Sequence, residues 1–245
     1  RPVPVLDPYN LYFTPDGRFA VVMSEAEHEI VFLDPHTMAV RTVLKVPCSG
    51  VNHADFSADG RYFIASCEFS GDLVKVDTER QRVIATLHLP KRMSMPQDVK
   101  VSPDGKTWYI ADMQNSGVWI LHNADFAHPS FLPTGQGAHG LYVSRDSKYL
   151  YITNRGEGSI SVLLFATGKL VAKWHLAGGG TPDMGGLSAD GKILWLSGRY
   201  NGVVYAISTV TGKLLRKIPV GVQPHGLCVW PQPGRYSLGH TGVMR

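Results

Sequence analysis

Hydrophobic residues recur in short alternating runs along this chain, and polar turn residues separate the runs. The clearest unit contains the runs Tyr149–Asn154, Ser159–Leu164 and Leu170–Trp174, with glycine-containing turns between them. Alternation with a period of two, interrupted by Gly, Asn and Asp, is typical of β-hairpins. No window shows the 3.6-residue apolar period of an amphipathic helix, so the pattern predicts an all-β chain with almost no helix.

An Asp-Gly turn, or a close variant of it, recurs at nearly constant intervals. The aspartates of these turns are Asp16, Asp59, Asp104, Asp146 and Asp190, which are spaced 43, 45, 42 and 44 residues apart. A weaker sixth copy follows in Trp230–Gly234. Each turn is preceded by a further strand, such as His139–Ser144, which gives four antiparallel strands per repeat. Four-stranded units with this period predict the blades of a β-propeller, which bury their faces by stacking around an axis.

One stretch of the chain resembles a known repeat. The sequence Tyr151-Ile-Thr-Asn154, followed by Gly-Ser-Ile-Ser-Val and Ala-Thr-Gly-Lys, is similar to the YVTN β-propeller repeat, and Tyr109–Asp112, Ile64–Cys67 and Trp195–Gly198 resemble drifted copies. The resemblance covers about residues 8–240. It implies a bacterial, extracytoplasmic protein: periplasmic, secreted or of the cell envelope. YVTN propellers occur in surface-layer proteins, in lactonase-like enzymes and beside haem or copper in denitrification enzymes.

The repeats assign residues 1–245 to a single propeller domain. Five full blades are predicted, at residues 8–49, 50–94, 95–137, 138–180 and 181–223. Residues 224–242 are predicted to supply the inner strands of a partial closing blade, and residues 1–7 its outermost strand. That composite blade lacks a strand, and YVTN propellers commonly have seven blades, so we expect the chain to be part of a seven-bladed ring. An N-terminal segment or a neighbouring chain is expected to cover the open edge.

Composition excludes some classes of function. The formal net charge is only +4, and no Lys/Arg run or basic-aromatic stretch suggests a nucleic-acid groove. No apolar run is long enough to cross a membrane. The chain contains no Gly-x-Ser-x-Gly nucleophile elbow, no Cys-x-x-Cys-His haem attachment motif and no phosphate-binding loop.

The chain has three cysteines. Cys48 precedes a predicted innermost strand and Cys67 ends the next strand, so both are expected on the same rim of the propeller. A disulfide between them would indicate an oxidising compartment, and two buried thiols are the alternative. Cys228 is predicted to lie in an innermost strand, within the core.

Polar residues stand six or seven positions before the repeated aspartates, where the innermost strands begin. The set comprises His53, Asp98, His139, Asp183 and His225. Rotational repetition would direct these side chains towards one axis, where imidazoles and carboxylates suit a divalent metal such as Cu, Zn or Ca. Met95, Met113 and Met184 lie near the same rim and would add a soft ligand for copper.

A second polar ring is predicted at the end of the next strand. It comprises Glu25, Glu68, Met113, Arg155 and Arg199, and His240 is expected to join it. Arg155 and Arg199 occupy equivalent positions in adjacent blades, where two guanidinium groups side by side would hold a carboxylate or phosphate.

Both rings also have structural interpretations. Polar channel mouths of propellers often hold only water, and a histidine that opens an innermost strand can bond to a neighbouring blade. The arginines can form salt bridges between blades, with Glu157 or Asp183 as partners.

Three functions remain open from the sequence. The first is an extracytoplasmic propeller that binds a small molecule or a protein on the funnel-shaped polar face, with or without a metal. The second is a metal-dependent enzyme using the same ring, with lactonase-like hydrolysis, lyase chemistry or copper redox chemistry. The third is a structural module of the envelope or surface layer.

Overall fold

The repeated turn has the same hydrogen-bonded structure in all five repeats. A Ser or Thr hydroxyl donates to the aspartate two residues later at 2.6–2.7 Å, and it accepts from a backbone N–H five residues later at 2.9–3.1 Å. The residue after the aspartate adopts a left-handed conformation, as glycine does most readily. This turn reverses the chain and thereby sets the register between the first two strands of each repeat.

The computed structural model describes residues 4–230 and the backbone of residues 236–237 and 243–244. It contains five four-stranded antiparallel sheets in which sequential strands are neighbours, which confirms the predicted all-β propeller architecture. The first three sheets comprise β1 (Pro8–Phe13), β2 (Ala20–Ser24), β3 (Glu29–Leu33) and β4 (Val40–Lys45); β5 (Val51–Phe56), β6 (Tyr62–Cys67), β7 (Asp72–Asp77) and β8 (Arg82–His88); and β9 (Pro96–Val101), β10 (Thr107–Asp112), β11 (Gly117–His122) and β12 (Ser130–Pro133). The last two comprise β13 (Ala138–Val143), β14 (Tyr149–Asn154), β15 (Ser159–Leu164) and β16 (Lys169–His175); and β17 (Pro182–Leu187), β18 (Ile193–Gly198), β19 (Val203–Ser208) and β20 (Leu214–Pro219). A single 3₁₀ turn, Arg199–Asn201, is the helical structure within the described residues, and no helix there is long and apolar enough to cross a membrane.

Burial falls from the first strand of a sheet to the fourth. Every residue of Val51–Phe56 and Pro96–Val101 is buried, whereas Arg82–His88 alternates between exposed and partly buried positions. First strands of successive sheets also contact one another. The first strands are therefore innermost, and their N-terminal ends meet at one rim of the molecule.

The hydrophobic core consists of layers between successive sheets. In one layer Phe32 of the first sheet packs with Phe56 and Phe63 of the second, and in another Ile64 of the second packs with Trp108 of the third. Similar layers join the third sheet to the fourth and the fourth to the fifth. A single sheet buries neither of its faces alone, so each sheet depends on its neighbours for stability.

Side chains of the first strands also bond directly to the next sheet. Asp55 accepts from the backbone N–H of Val101, and Asp98 accepts from that of Leu141, both at 2.8 Å. The hydroxyls of Tyr12 and Tyr142 likewise accept hydrogen bonds from backbone N–H groups of the next sheet, those of Ala54 and Gly185 respectively. These bonds fix how adjacent sheets are placed around the innermost strands.

The predicted strands of the closing blade differ from the structure. Described residues 4–7 and 221–230 lie outside strands. Asp7 and Gln223 have positive φ values of 44° and 51°, which interrupt an extended chain at both places. A short hairpin forms instead from β21 (Tyr236–Ser237) and β22 (Val243–Met244), and β21 contacts β1. The total number of blades stays a prediction.

The cysteines lie where the strand order places them, with one exception. Cys48, in the loop before β5, forms a disulfide with Cys67 at the end of β6, with an S–S distance of 2.07 Å. A cross-link that closes a loop of this length stabilises a fold by roughly 3 kcal/mol in the chain-entropy model. Cys228 is a free and exposed cysteine, so its predicted core position was wrong, because its segment does not form the expected inner strand.

Candidate functional site

Five polar residues, four of them on innermost strands, lie together at one rim. We call Tyr9, His53, His139, Asp183 and His225 the mouth cluster. The rings of His53 and His139 lie 6.3 Å apart, as do those of His139 and His225, and Tyr9 stands 5.5 Å from His53 and 6.0 Å from His225. Residues from the first, second, fourth and fifth sheets and from the segment after β20 thus converge on one place.

Three members of the mouth cluster could hold a metal ion. One potential ligand atom from each of His139, Asp183 and His225 lies within 4.8 Å of the other two. His139 and Asp183 are buried, whereas His225 is partly exposed. Donor atoms around one zinc ion lie about 3.3–4.2 Å apart, given metal–ligand bonds of about 2.0–2.2 Å. Small side-chain movements would therefore bring this triad to bonding distance.

The triad also forms an ion-pair network of its own. His139 Nδ1 lies 3.0 Å from Asp183 Oδ1 and 3.1 Å from the sulfur of Met184. Arg155 Nη1 lies 3.3 Å from both carboxylate oxygens of Asp183. Burial alone would raise the pKa of Asp183, but His139, Arg155 and His225 more than offset burial and hold it below its ordinary value. Asp183 is therefore ionised at neutral pH and available as a ligand.

His53 and Asp98, two predicted members of the metal ring, lie outside this triad. His139, Asp183 and Tyr9 stand seven residues before their turn aspartates, whereas His53 and Asp98 stand six residues before theirs. Successive strand residues point to opposite faces, which accounts for the different direction of the Asp98 side chain. Asp98 bonds to Leu141 of the next sheet, while the His53 ring stays beside Tyr9 and His139.

Acidic residues occupy one side of the second ring. Asn52 donates its side-chain N–H to Glu68 Oε2 at 2.9 Å. The pKa of Glu25 is raised to about 7. Burial is the largest cause, and the negative charges of Glu68 and Asp7 add to it. Glu25 Oε1 is shielded from solvent and has no hydrogen-bond partner among the described residues. This side of the mouth therefore contains a carboxyl group that exchanges its proton near neutral pH.

Two arginines occupy the other side, and they differ in their contacts. Arg155 is paired with Asp183, and its Nη2 lies 2.6 Å from the sulfur of Met113. The salt bridge to Asp183 is one of the two that the sequence allowed, and the other candidate, Glu157, pairs with Lys173 instead. Arg199 has no ion pair or side-chain hydrogen bond within residues 4–230, and its Nε atom is shielded from solvent. His240, the remaining predicted member of this ring, lies outside the described residues.

Two further residues belong to the site, although the sequence assigned neither of them a role. Tyr9 shares the repeat position of His139 and Asp183, which was a usable signal. Burial, followed by the charges of Glu68, Glu25 and Asp183, raises the pKa of Tyr9 above its ordinary value, so its hydroxyl stays protonated. Tyr200, which follows Arg199, is 60% exposed in a segment that gave no sequence signal.

Several solved structures share this fold at low sequence identity. Virginiamycin B lyase from Staphylococcus aureus superimposes with a TM-score of 0.78 and 13% identity, over 98% of this chain and 80% of the lyase. A periplasmic gluconolactonase from Pseudomonas aeruginosa gives a TM-score of 0.74 and 22% identity, over 95% and 77% of the two chains. Identities this low show a common fold and leave the chemistry of this chain to be argued from its own residues.

Sequence comparison gives a distant relative and a family match. An uncharacterized protein, YwcC, of Lactococcus lactis subsp. lactis (strain IL1403) is 28% identical over 127 residues, which are 46% of this chain and 37% of that protein. The chain thus covers little more than a third of that relative's length. The sequence profile of the YNCE-like beta-propellers matches residues 5–234. Because that match spans nearly the whole chain, the protein belongs to the YNCE-like beta-propeller family.

Proposed function

We propose that this protein is an extracytoplasmic binding propeller whose mouth cluster holds one divalent metal ion. The observation that carries the proposal is the convergence of His139, Asp183 and His225, whose ligand atoms lie within 4.8 Å of one another. Three protein ligands on one ion leave a coordination position for water or for part of a bound small molecule. The metal would therefore serve as the point at which the propeller binds its ligand.

The donor set favours a transition metal over calcium. Two imidazoles and one carboxylate suit Zn²⁺, Cu²⁺ or Fe²⁺, whereas Ca²⁺ prefers a shell of oxygen ligands. The sulfur of Met184 lies 3.1 Å from His139 Nδ1 and would add a soft donor, which favours copper. Metal-bound histidines must be neutral, so metal affinity should fall with acidification.

The extracytoplasmic location rests on the disulfide between Cys48 and Cys67. Structural disulfides persist in the periplasm and outside the cell but are rare in the cytosol. We expect protein isolated from its native host without reductant to show one reactive thiol per chain, that of Cys228. Three reactive thiols per chain would contradict this location.

Metal titration of site variants tests the proposal. His225 lies outside the strands and is partly exposed, so His225→Ala should preserve the fold while removing one ligand. Isothermal titration with Zn²⁺ should show one site per chain in the wild type and affinity weaker by about tenfold or more in His225→Ala. His88→Ala is the matched control, because His88 is an exposed histidine paired with Asp72. Equal zinc affinity in both variants would refute the site.

A second function, catalysis at the same mouth, is favoured by Glu25. A carboxyl group with a pKa of about 7 is suited to donate and accept protons at neutral pH. A bound metal would polarise a carbonyl group for hydrolysis or elimination, the reaction classes for which the lactonase and lyase neighbours are named. Metal-loaded protein should be assayed with gluconolactone and with a streptogramin B. Turnover that is unchanged in Glu25→Gln would exclude this role for Glu25.

A further inference from the structure

Two arginines at equivalent repeat positions have opposite environments. Arg155 is neutralised by Asp183 and bonded to Met113, so its guanidinium group is occupied. Arg199, 44 residues later, forms no ion pair or side-chain hydrogen bond with the described part of the chain. Its Nε atom is nevertheless shielded from solvent, although the residue as a whole is partly exposed. A shielded donor on a permanent cation is costly unless an acceptor is supplied from outside the described residues.

The surroundings of Arg199 describe what that acceptor would meet. The Tyr200 ring lies 5.8 Å from the Arg199 guanidinium carbon and 5.7 Å from that of Arg155, within cation–π range of both. The exposed ring is an apolar, planar surface at the rim. On the inner side, the positive charge of Arg199 acts to lower the pKa of Tyr9, whereas the charges of Glu68, Glu25 and Asp183 act to raise it. Arg199 therefore stands between an exposed aromatic ring and the mouth cluster.

We propose that Arg199 anchors a binding subsite for the carboxylate of a small organic acid, with Tyr200 packing against the apolar part of that acid. The planar guanidinium fork matches the two oxygens of a carboxylate. Phosphate has the same fork geometry but carries nearly two negative charges, which Asp183 and Glu68 oppose more strongly than a single charge. The subsite uses none of the three proposed metal ligands, so it is independent of the proposed metal binding.

Benzoate is a suitable probe, because it carries one carboxylate on a flat apolar ring. Benzamide is its neutral counterpart of nearly the same shape. Binding should be measured by nuclear magnetic resonance titration on chelator-treated protein, so that a failure of metal binding does not affect the result. We expect benzoate to bind the wild type and benzamide to bind at least about tenfold more weakly.

Variants assign the binding to the guanidinium fork. Arg199→Gln should weaken benzoate binding at least about tenfold, and Arg199→Lys, which keeps the charge but loses the fork, should give an intermediate loss. Both variants should fold, since Arg199 forms no ion pair with described residues. Arg216→Gln, at an exposed position on β20, is the control and should bind benzoate as the wild type does.

Four results would each overturn the subsite. These are no benzoate binding up to about 20 mM, equal binding of benzoate and benzamide, unchanged benzoate binding in Arg199→Gln, and tighter binding of inorganic phosphate than of benzoate.

Discussion

At the residue scale, Asp98 shows how one carboxyl group can belong to the fold although its position suggested a ligand. Its Oδ2 accepts from the Leu141 N–H of the next sheet, and its Oδ1 is buried without a partner among the described residues. Burial raises the pKa of Asp98 from 3.8 to about 6, against the opposing charge of Lys100. Folding therefore makes Asp98 easier to protonate, and its charged form is disfavoured by burial.

Replacing Asp98 by asparagine should stabilise the protein at neutral pH. The pKa of Asp98 is higher in the folded state than in the unfolded state. Its contribution to the unfolding free energy is therefore fully present below about pH 4 and is lost as the pH rises through 6. Asparagine keeps an oxygen for Leu141 and carries no charge. We expect Asp98→Asn to raise the unfolding free energy by about 1–3 kcal/mol at pH 7.5 and by much less at pH 4.5.

Urea unfolding at both pH values would measure this difference. Asp104→Asn serves as a control, because the pKa of that exposed turn aspartate is lowered instead of raised. The main cause is the hydrogen bond that the Ser102 hydroxyl donates to it. The control variant should lose stability at pH 7.5. If Asp98→Asn were destabilising at pH 7.5, the burial argument would be incorrect.

The metal-site prediction from sequence depended on the repeat register. Three of the five predicted ligands, His139, Asp183 and His225, have ligand atoms within 4.8 Å of one another, because they share one repeat position. Asp98 belongs to a neighbouring repeat position and bonds to the next sheet. The sequence allowed Asp183 or Glu157 as the partner of Arg155 and could not decide between them. It also gave no sign that Arg199 would form no ion pair with the described residues, since both outcomes depend on side-chain conformations at the interface between sheets.

At the element scale, the Asp-Gly turn provides a test of local strain. Four of the five turns have glycine in the left-handed position, and the fourth repeat has Ser147 there, with a φ of 61°. A left-handed conformation costs a non-glycine residue about 1–2 kcal/mol, whereas glycine loses about 0.5–1 kcal/mol more chain entropy on folding. Ser147 is exposed, so a substitution there changes little besides the backbone.

Ser147→Gly should therefore raise the unfolding free energy by about 0.5–1 kcal/mol. The reciprocal variant is Gly17→Ser, at the equivalent turn of the first repeat, where an added Cβ would have no atom within 4 Å. That variant should lose a similar amount, and thermal unfolding of both would show the opposite shifts. Shifts of the same sign would mean that backbone strain does not determine the stability of this turn.

Strands and turns were predictable because each is specified locally by alternation and by the hydroxyl–aspartate pair. The closing blade expected from residues 1–7 and 224–242 was less predictable. Described residues 4–7 and 224–230 lie outside strands, although their hydrophobic patterns are similar to those of the other repeats. Left-handed Asp7 ends the first of these segments and left-handed Gln223 directly precedes the second, and neither residue type signals this conformation as reliably as glycine does.

At the scale of the whole molecule, the fold and the site have the same origin. Core layers between sheets require that each repeat be rotated relative to the last, and this rotation aims equivalent side chains at one rim. The same rotation places acids from the first two sheets opposite arginines from the fourth and fifth. Chemistry at the mouth is therefore set by which residue each repeat carries at two positions, while the repeats' stability depends on their apolar faces.

Metal content is the most direct test of whether the mouth cluster is a metal site. Protein expressed without a histidine tag and purified without chelator should be analysed by mass spectrometry for all first-row divalent metals. We predict about one transition-metal ion per chain in the wild type and a large loss of that ion in a folded His225→Ala variant. A wild-type protein that contains no divalent ion, and takes up none when supplied with Zn²⁺ or Cu²⁺, would contradict the proposed metal site.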